Sequence, residues 1–201
     1  MQGIEILFGV IILIFSAIVH EVAHGYVALY LGDPTAKLAG RLTLNPLNHL
    51  DPFGSVLLPL LLAITGTPFI FGYAKPVPYN PYNLGGGKWG PALVAMAGPA
   101  SNLVIAILAS LAMRAGLFNG PALSVGILIV VINVVLAIFN LLPVPPLDGS
   151  KVLFALLPYT ARNIEHFLVR YQLFIFLFLV IFAWQPFARV VLPFVLGLLL
   201  G

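Results

Sequence analysis

Cysteine is absent from the 201 residues, which excludes a disulfide framework and any thiolate metal site. Charge is scarce as well: Asp, Glu, Lys and Arg together make up 7%, against roughly a quarter of an average soluble domain. The nine Lys and Arg form no basic run and no patch interleaved with aromatics, so no nucleic-acid partner is expected. The net charge of +3 is read instead as facing anionic lipid. No Lys or Arg precedes Lys37 and no small-x-small cleavage site follows the first apolar run, so that run is expected to be retained, not removed as a signal peptide. What dominates is apolar: 61% hydrophobic residues and a mean hydropathy of +1.11 describe a multi-pass integral membrane protein. Its length leaves room for about five or six spans of roughly 20 residues, as one domain over 1–201 with no appended soluble module.

Against this background the motif His20-Glu21-Val22-Ala23-His24-Gly25 stands out, at the end of the apolar run 4–17. On a helix covering about 4–31, His20 and His24 project from one face and can bind a single Zn²⁺, with Glu21 beside them as a general base. Ionisable groups next to hydrocarbon cost several kcal/mol unless paired or hydrated, so the cluster reads as a functional site. At about 1.5 Å per residue His20 lies about 24 Å beyond Ile4, near one interface, where water can reach it. Gly25 permits close approach of another backbone, or equally a helix contact.

Gly32-Asp33-Pro34 stops this helix. From 37 to 44 apolar and polar residues alternate, the period of a short interfacial hairpin or edge strand with one wet face. Asn45-Pro46-Leu47-Asn48 and Asn80-Pro81-Tyr82-Asn83 repeat one turn pattern. Between them 53–64 is too short for a span and reads as a re-entrant segment. Spans follow over 91–115 and about 121–142. The first carries Gly98-Pro99-Ala100-Ser101-Asn102, whose small residues permit close packing and whose Asn102 is equally suited to inter-helical bonding and to catalysis. The tail, 167–184 and then 190–200 after Gln185-Pro186, is aromatic-rich and assigned to packing and lipid contact.

A candidate third metal ligand comes from Asn140-Leu141-Leu142-Pro143-Val144-Pro145-Pro146-Leu147-Asp148-Gly149. Two consecutive prolines forbid a continuing helix and deliver Asp148, one of six acidic residues, at a helix end. Beside Zn²⁺ a carboxylate stays ionised. The alternative is an ordinary turn with Asp148 capping a helix over 150–157. His49, in an interfacial turn, and His166, beside Glu165, are rival ligands better read as a hydrogen-bonded and an interfacial histidine.

These three motifs, in this order, resemble the site-2 protease family of intramembrane zinc metalloproteases, over about residues 4–157. The resemblance implies an all-α polytopic catalytic core over 4–157, with C-terminal helices in 167–200. It implies zinc, one ion per chain, on His20, His24 and Asp148, with Glu21 as base and Asn140 holding the substrate or its oxyanion. It also implies a membrane-spanning protein as substrate, cleaved in regulated intramembrane proteolysis. Unlike many members, this chain is expected to lack a PDZ or CBS module and to begin on the motif helix.

Read from the residues, the chemistry is hydrolysis of a peptide bond, with Asn140 or Asn102 donating to the developing oxyanion. Extended substrate held by the edge strand at 37–44 would meet the need for local unwinding. A membrane zinc transporter or channel is the competing class, but it has little use for Glu21 between the two histidines and predicts ligands spread along the membrane normal. Charge orients the chain. If 53–73 only dips into the bilayer, Lys37, Arg41, Lys75, Lys88, Lys151, Arg162 and Arg170 share one side, opposite Arg114 and Arg189. The expectation is therefore five complete spans plus a re-entrant segment, an outside N-terminus, and an active site toward the cytoplasmic leaflet of a prokaryotic cell membrane. Oligomeric state is left open.

Overall fold

A computed structural model describes residues 2–49, 51, 57, 64 and 75–201. Among these residues the architecture is helical, without a strand. Among the described residues four helical runs are long and apolar enough to cross a bilayer: Ile4–Tyr30, Gly87–Arg114, Pro121–Asn140 and Gln172–Leu200. The protein is thus an integral membrane protein. The expected re-entrant segment over 53–64 lies outside the described residues, apart from Leu57 and Ile64.

Helix α1 (Gln2–Tyr30) has two halves with different surroundings. Ile4, Leu7, Ile11 and Phe15 are exposed, as suits contact with lipid, whereas Ser16, Ile18, His20, Val22, His24 and Ala28 are buried among other helices. The motif therefore sits where the helix enters the protein interior. Gly32, with φ of 103°, closes α1 in a left-handed turn that a side chain would strain. In it Asp33 N donates to Ala28 O at 2.9 Å and Gly32 N to Leu29 O at 3.1 Å, satisfying the helix's last carbonyls.

The alternation over 37–44 does not produce the expected strand. Thr35–Leu38 is a single helical turn (α2). Asp33 favours it by accepting from Thr35 N at 3.2 Å and Thr35 Oγ1 at 2.6 Å. Arg41, assigned to the wet face, is only 9% exposed and folds inward onto loop carbonyls, whereas Leu38, on the supposed dry face, is 82% exposed. The period-two pattern here reflected Arg41 satisfying backbone acceptors, not a half-buried sheet.

The two N-P-x-N stretches do form one kind of turn. Asn45 and Asn80 each accept from the amide two residues on, Leu47 N and Tyr82 N, both at 3.1 Å. The loop that holds the second is stapled to the end of α1. Asp33 accepts from Asn80 N at 2.6 Å and Asn83 Nδ2 at 2.9 Å, and Gly85 N donates to Leu31 O at 2.7 Å. Burial would raise the Asp33 carboxyl, but the hydrogen bonds from Thr35, Asn83 and Asn80 prevail and hold it below the usual carboxylate range. Its stabilising contribution is thus complete above that range and lost only as pH falls through it. Lys75 N donates to His49 O at 2.9 Å, so both ends of the stretch between them stand on one side of the protein.

Helix α3 (Gly90–Arg114) packs against α1 and most extensively against α4 (Pro121–Asn140). Its buried stripe runs through Ala92, Ala95, Gly98, Asn102, Ala106 and Ala109, small residues at three- and four-residue spacing that let helix backbones approach closely. Val130 and Val134 of α4 complete that core.

After α5 (Gly149–Leu156) and the amphipathic α6 (Arg162–Arg170), residues 172–200 form one run and not two segments. α7 (Gln172–Phe178) passes through a π turn, Leu179–Ala183, into α8 (Trp184–Leu200). Pro186 falls in the first turn of α8, where a missing N–H costs little, and the wide π turn before it relieves the ring's clash with the preceding turn. The expected break at Gln185-Pro186 is therefore corrected to a continuous span. Its last carbonyls are satisfied by α3: Arg114 Nη2 donates to Leu198 O and Leu199 O at 3.1 and 3.2 Å, and Ser110 Oγ also donates to Leu199 O.

Candidate metal centre

One helical turn on α1 places the His20 and His24 rings with centroids 4.6 Å apart. Each ring is fixed from behind through Nδ1. His20 Nδ1 stands 2.6 Å from Asn102 Oδ1, and His24 Nδ1 stands 2.7 Å from Val94 O. Both partners are acceptors, so the proton of each neutral ring resides on Nδ1 and each Nε2 presents a lone pair.

Both lone pairs point at one atom. Asp148 Oδ2 lies 3.1 Å from His20 Nε2 and 3.3 Å from His24 Nε2. Three acceptors without a proton among them repel one another unless a cation or added protons intervene. Tetrahedral zinc with bonds of about 2.0–2.1 Å places its ligand atoms roughly 3.3 Å apart, so the donor set and its spacing fit zinc. Asp148 precedes α5 but makes no side-chain cap to it, which sets aside the capping alternative.

Glu21 lies within the same cluster: one ligand atom each from His20, Glu21 and His24 fall within 4.8 Å of one another. Its carboxylate is engaged elsewhere, accepting from Val77 N at 2.9 Å. A cavity of about 240 Å³ opens over these groups, lined by His20, Glu21, His24, Tyr79, Asn140, Asp148 and Lys151, with Pro76, Val77 and Pro146 at its walls. Burial, and then the Asp148 charge, push the Tyr79 hydroxyl up, so it stays protonated as a donor.

The asparagines part company. Asn140 lines the cavity and gives one amide hydrogen to Leu136 O at 2.9 Å. Asn102 is fully buried behind His20, away from the cavity, with its amide nitrogen donating to Asn133 Oδ1 at 2.9 Å and Ser16 O at 3.3 Å. It orients the His20 ring and has no donor left for a reacting carbonyl. His49 sits apart, its Nε2 2.8 Å from Thr43 O. Sequence reasoning missed Asn133, which donates to Ser16 Oγ at 2.9 Å, although a lone amide in an apolar span is the signal that singled out Asn102. It also missed the Val77 amide, a backbone group that no residue type announces.

Gly98 is the close approach this site requires. A Cβ there would lie 2.5 Å from Nε2 of both histidines, in the space a shared cation needs. Gly98→Ala is expected to abolish stoichiometric zinc binding while the protein stays folded in detergent, as elemental analysis alongside size-exclusion chromatography would show.

The sequence profile of Peptidase family M50 matches residues 116–183, which include Asn140 and Asp148 but not the histidine motif. A Bacillus subtilis protein named "Putative zinc metalloprotease YwhC" is 43% identical over 158 residues, 74% of this chain and 68% of that protein. The chain belongs to peptidase family M50. Two further relatives, both named "Putative zinc metalloprotease Rip2", are 35% identical in Mycolicibacterium smegmatis and 29% in Mycobacterium tuberculosis H37Rv. Those alignments cover 72% and 85% of this M50 chain but 57% and 64% of the relatives, which extend beyond it. No solved structure gives a significant match.

Proposed function

We propose that this M50 protein is an intramembrane zinc metallopeptidase, a single catalytic domain that hydrolyses peptide bonds of membrane-embedded protein substrates. One Zn²⁺ per chain would be held by His20, His24 and Asp148. The observation that carries the reading is the convergence of two lone-pair nitrogens and a carboxylate oxygen, with both Nδ1 atoms already committed. Zinc, when bound, supplies Lewis acidity that makes water nucleophilic near neutral pH and polarises a carbonyl. Glu21 of the HExxH motif takes the proton from the attacking water and returns it to the departing amide nitrogen. Asn140 lines the cavity with one amide hydrogen not given to Leu136 O and serves as donor to the oxyanion, and the Tyr79 hydroxyl lines the same cavity. An intact helix about 10–12 Å across does not fit a cavity of this volume, so substrate enters as unwound chain.

A transporter would need successive ligands along a path, and among the described residues no second cluster of potential metal ligands accompanies this one. The deciding experiment uses purified protein in liposomes with a labelled transmembrane peptide. Cleavage is expected to stop with phenanthroline and to return on adding Zn²⁺ to the dialysed protein; vesicular zinc uptake with no peptide product would sink the protease reading.

The same reading orients the chain. Hydrogen bonds join the end of α1 to the loop before α3 and join His49 to Lys75, which supports one membrane side for all of them. Lys37, Arg41, Lys75, Lys88, Lys151, Arg162 and Arg170 fall on that side, which the positive-inside rule makes cytoplasmic in a prokaryotic cell membrane. Single cysteines at Asn48, Asn83 and Asn163 are expected to label only from the cytoplasm; labelling of Asn83 from the side opposite Asn48 would overturn this topology.

A further inference from the structure

Among the described residues, the Glu21 carboxylate has one hydrogen-bond donor, the amide of Val77. Val77 belongs to a strap, residues 75–79, that crosses one wall of the cavity without belonging to a helix or strand. Because Pro76 and Pro78 carry no N–H, Val77 is the only residue between Lys75 and Tyr79 able to offer one. No secondary structure holds this segment in place.

Two buried side chains hold it instead. Arg41, 9% exposed, donates through Nη2 to Lys75 O at 2.7 Å and Pro76 O at 3.3 Å, and through Nη1 to Asn48 O. Asp33, 0% exposed, takes the other end through Asn80 N and Asn83 Nδ2 and is itself anchored by Thr35 at the start of α2. The two clamps flank Val77 on either side in sequence. Between them the Val77 side chain rests on α1 at Gly25, where a Cβ would lie 2.9 Å from Val77 Cγ1. Neither Asp33 nor Arg41 lines the cavity or touches the metal ligands.

We infer that Asp33 and Arg41 are positioning residues for the hydrolysis: they fix the strap so that its one inward N–H holds the carboxylate of Glu21 in a single orientation. The inference rests on the reading of Glu21 as the base. When either clamp is lost, the Val77 amide drifts, and the carboxylate it held samples orientations from which it cannot take the water's proton. The loss falls on the chemical step, because substrate binding does not use these side chains.

The test is a double-mutant cycle on the zinc-loaded protein in liposomes, with hydrogen exchange of the Val77 amide as a readout independent of activity. Arg41→Met and Asp33→Asn are each expected to lower kcat by about 10²-fold with KM changed by less than about twofold, and to speed Val77 exchange while α3 and α4 keep their protection. Arg41→Lys should recover part of the loss. Val77→Pro, which deletes the donor, should lower kcat to a similar level, and adding Arg41→Met to it should cost nothing further. Should Val77→Pro disturb folding, a backbone ester at Val77 removes the same N–H and keeps the side chain. Losses that multiply in the double variant, or a Val77 amide equally protected in Arg41→Met and wild type, would overturn the inference. If Glu21→Gln retained full cleavage, the role of Glu21 would fall by itself, and the exchange arm would still decide whether the clamps hold the strap.

Discussion

Glu21→Gln is expected to keep its zinc and lose cleavage by about 10²–10⁴-fold, the range that a positioned general base contributes. The substitution is nearly isosteric, and its amide oxygen can still accept from Val77 N, so the strap need not move. What disappears is the capacity to take a proton from water. Zinc content by elemental analysis and turnover of a labelled transmembrane peptide, measured on one preparation, separate the two properties. Metal loss in step with activity would make Glu21 a ligand and reassign the base. Proteomics of membrane peptides released by wild type but not by this variant would then reveal the substrates.

Replacing His20, His24 and Asp148 together by alanine is expected to do the opposite, removing zinc and with it all measurable cleavage. Two devices place these three residues: one helical turn places both histidines, and the proline-rich exit from α4 places Asp148. Asp148 Oδ2 nevertheless lies 3.1 and 3.3 Å from the two histidine Nε2 atoms, so no single element brings the three together. Undiminished zinc in the triple variant would move the ligands elsewhere, with His49 the first to test. The variant should remain folded, since Asn102 and Asn133 keep their other partners.

How far the sequence foretold this arrangement depends on the kind of signal. Local ones were legible: His20 and His24 one turn apart, the stop at Gly32-Asp33-Pro34, the twin N-P-x-N turns, the spans of α3 and α4. Asp148 was legible because prolines before it left few places for the chain to go. The period-two reading of 37–44 failed because Arg41 turns inward to carbonyls tens of residues away, and alternation records only a face, not its partner. The break at Gln185-Pro186 failed because a π turn, which has no residue signature, absorbs the proline. Asn102 was visible as a polar group in hydrocarbon, but whether it faced substrate or stood behind a histidine depended on the rotation of α3. The Val77 amide lay beyond reach, being backbone.

The chain of side chains behind His20 has a consequence for how His20, His24 and Asp148 come to face one another. Asn102 donates to Asn133, and Asn133 to Ser16, so α3, α4 and α1 are stitched at one depth in a medium that offers these amides no water. Each such bond is worth about 0.6–2 kcal/mol in a bilayer, and sliding any of the three helices by one residue, about 1.5 Å, would break two or more of them together. The helices thus take their longitudinal register from neutral amides, before any ion arrives. Metal-free chains should therefore emerge from the insertion machinery already threaded correctly, and acquiring the ion becomes the last event of maturation, not the one that directs assembly.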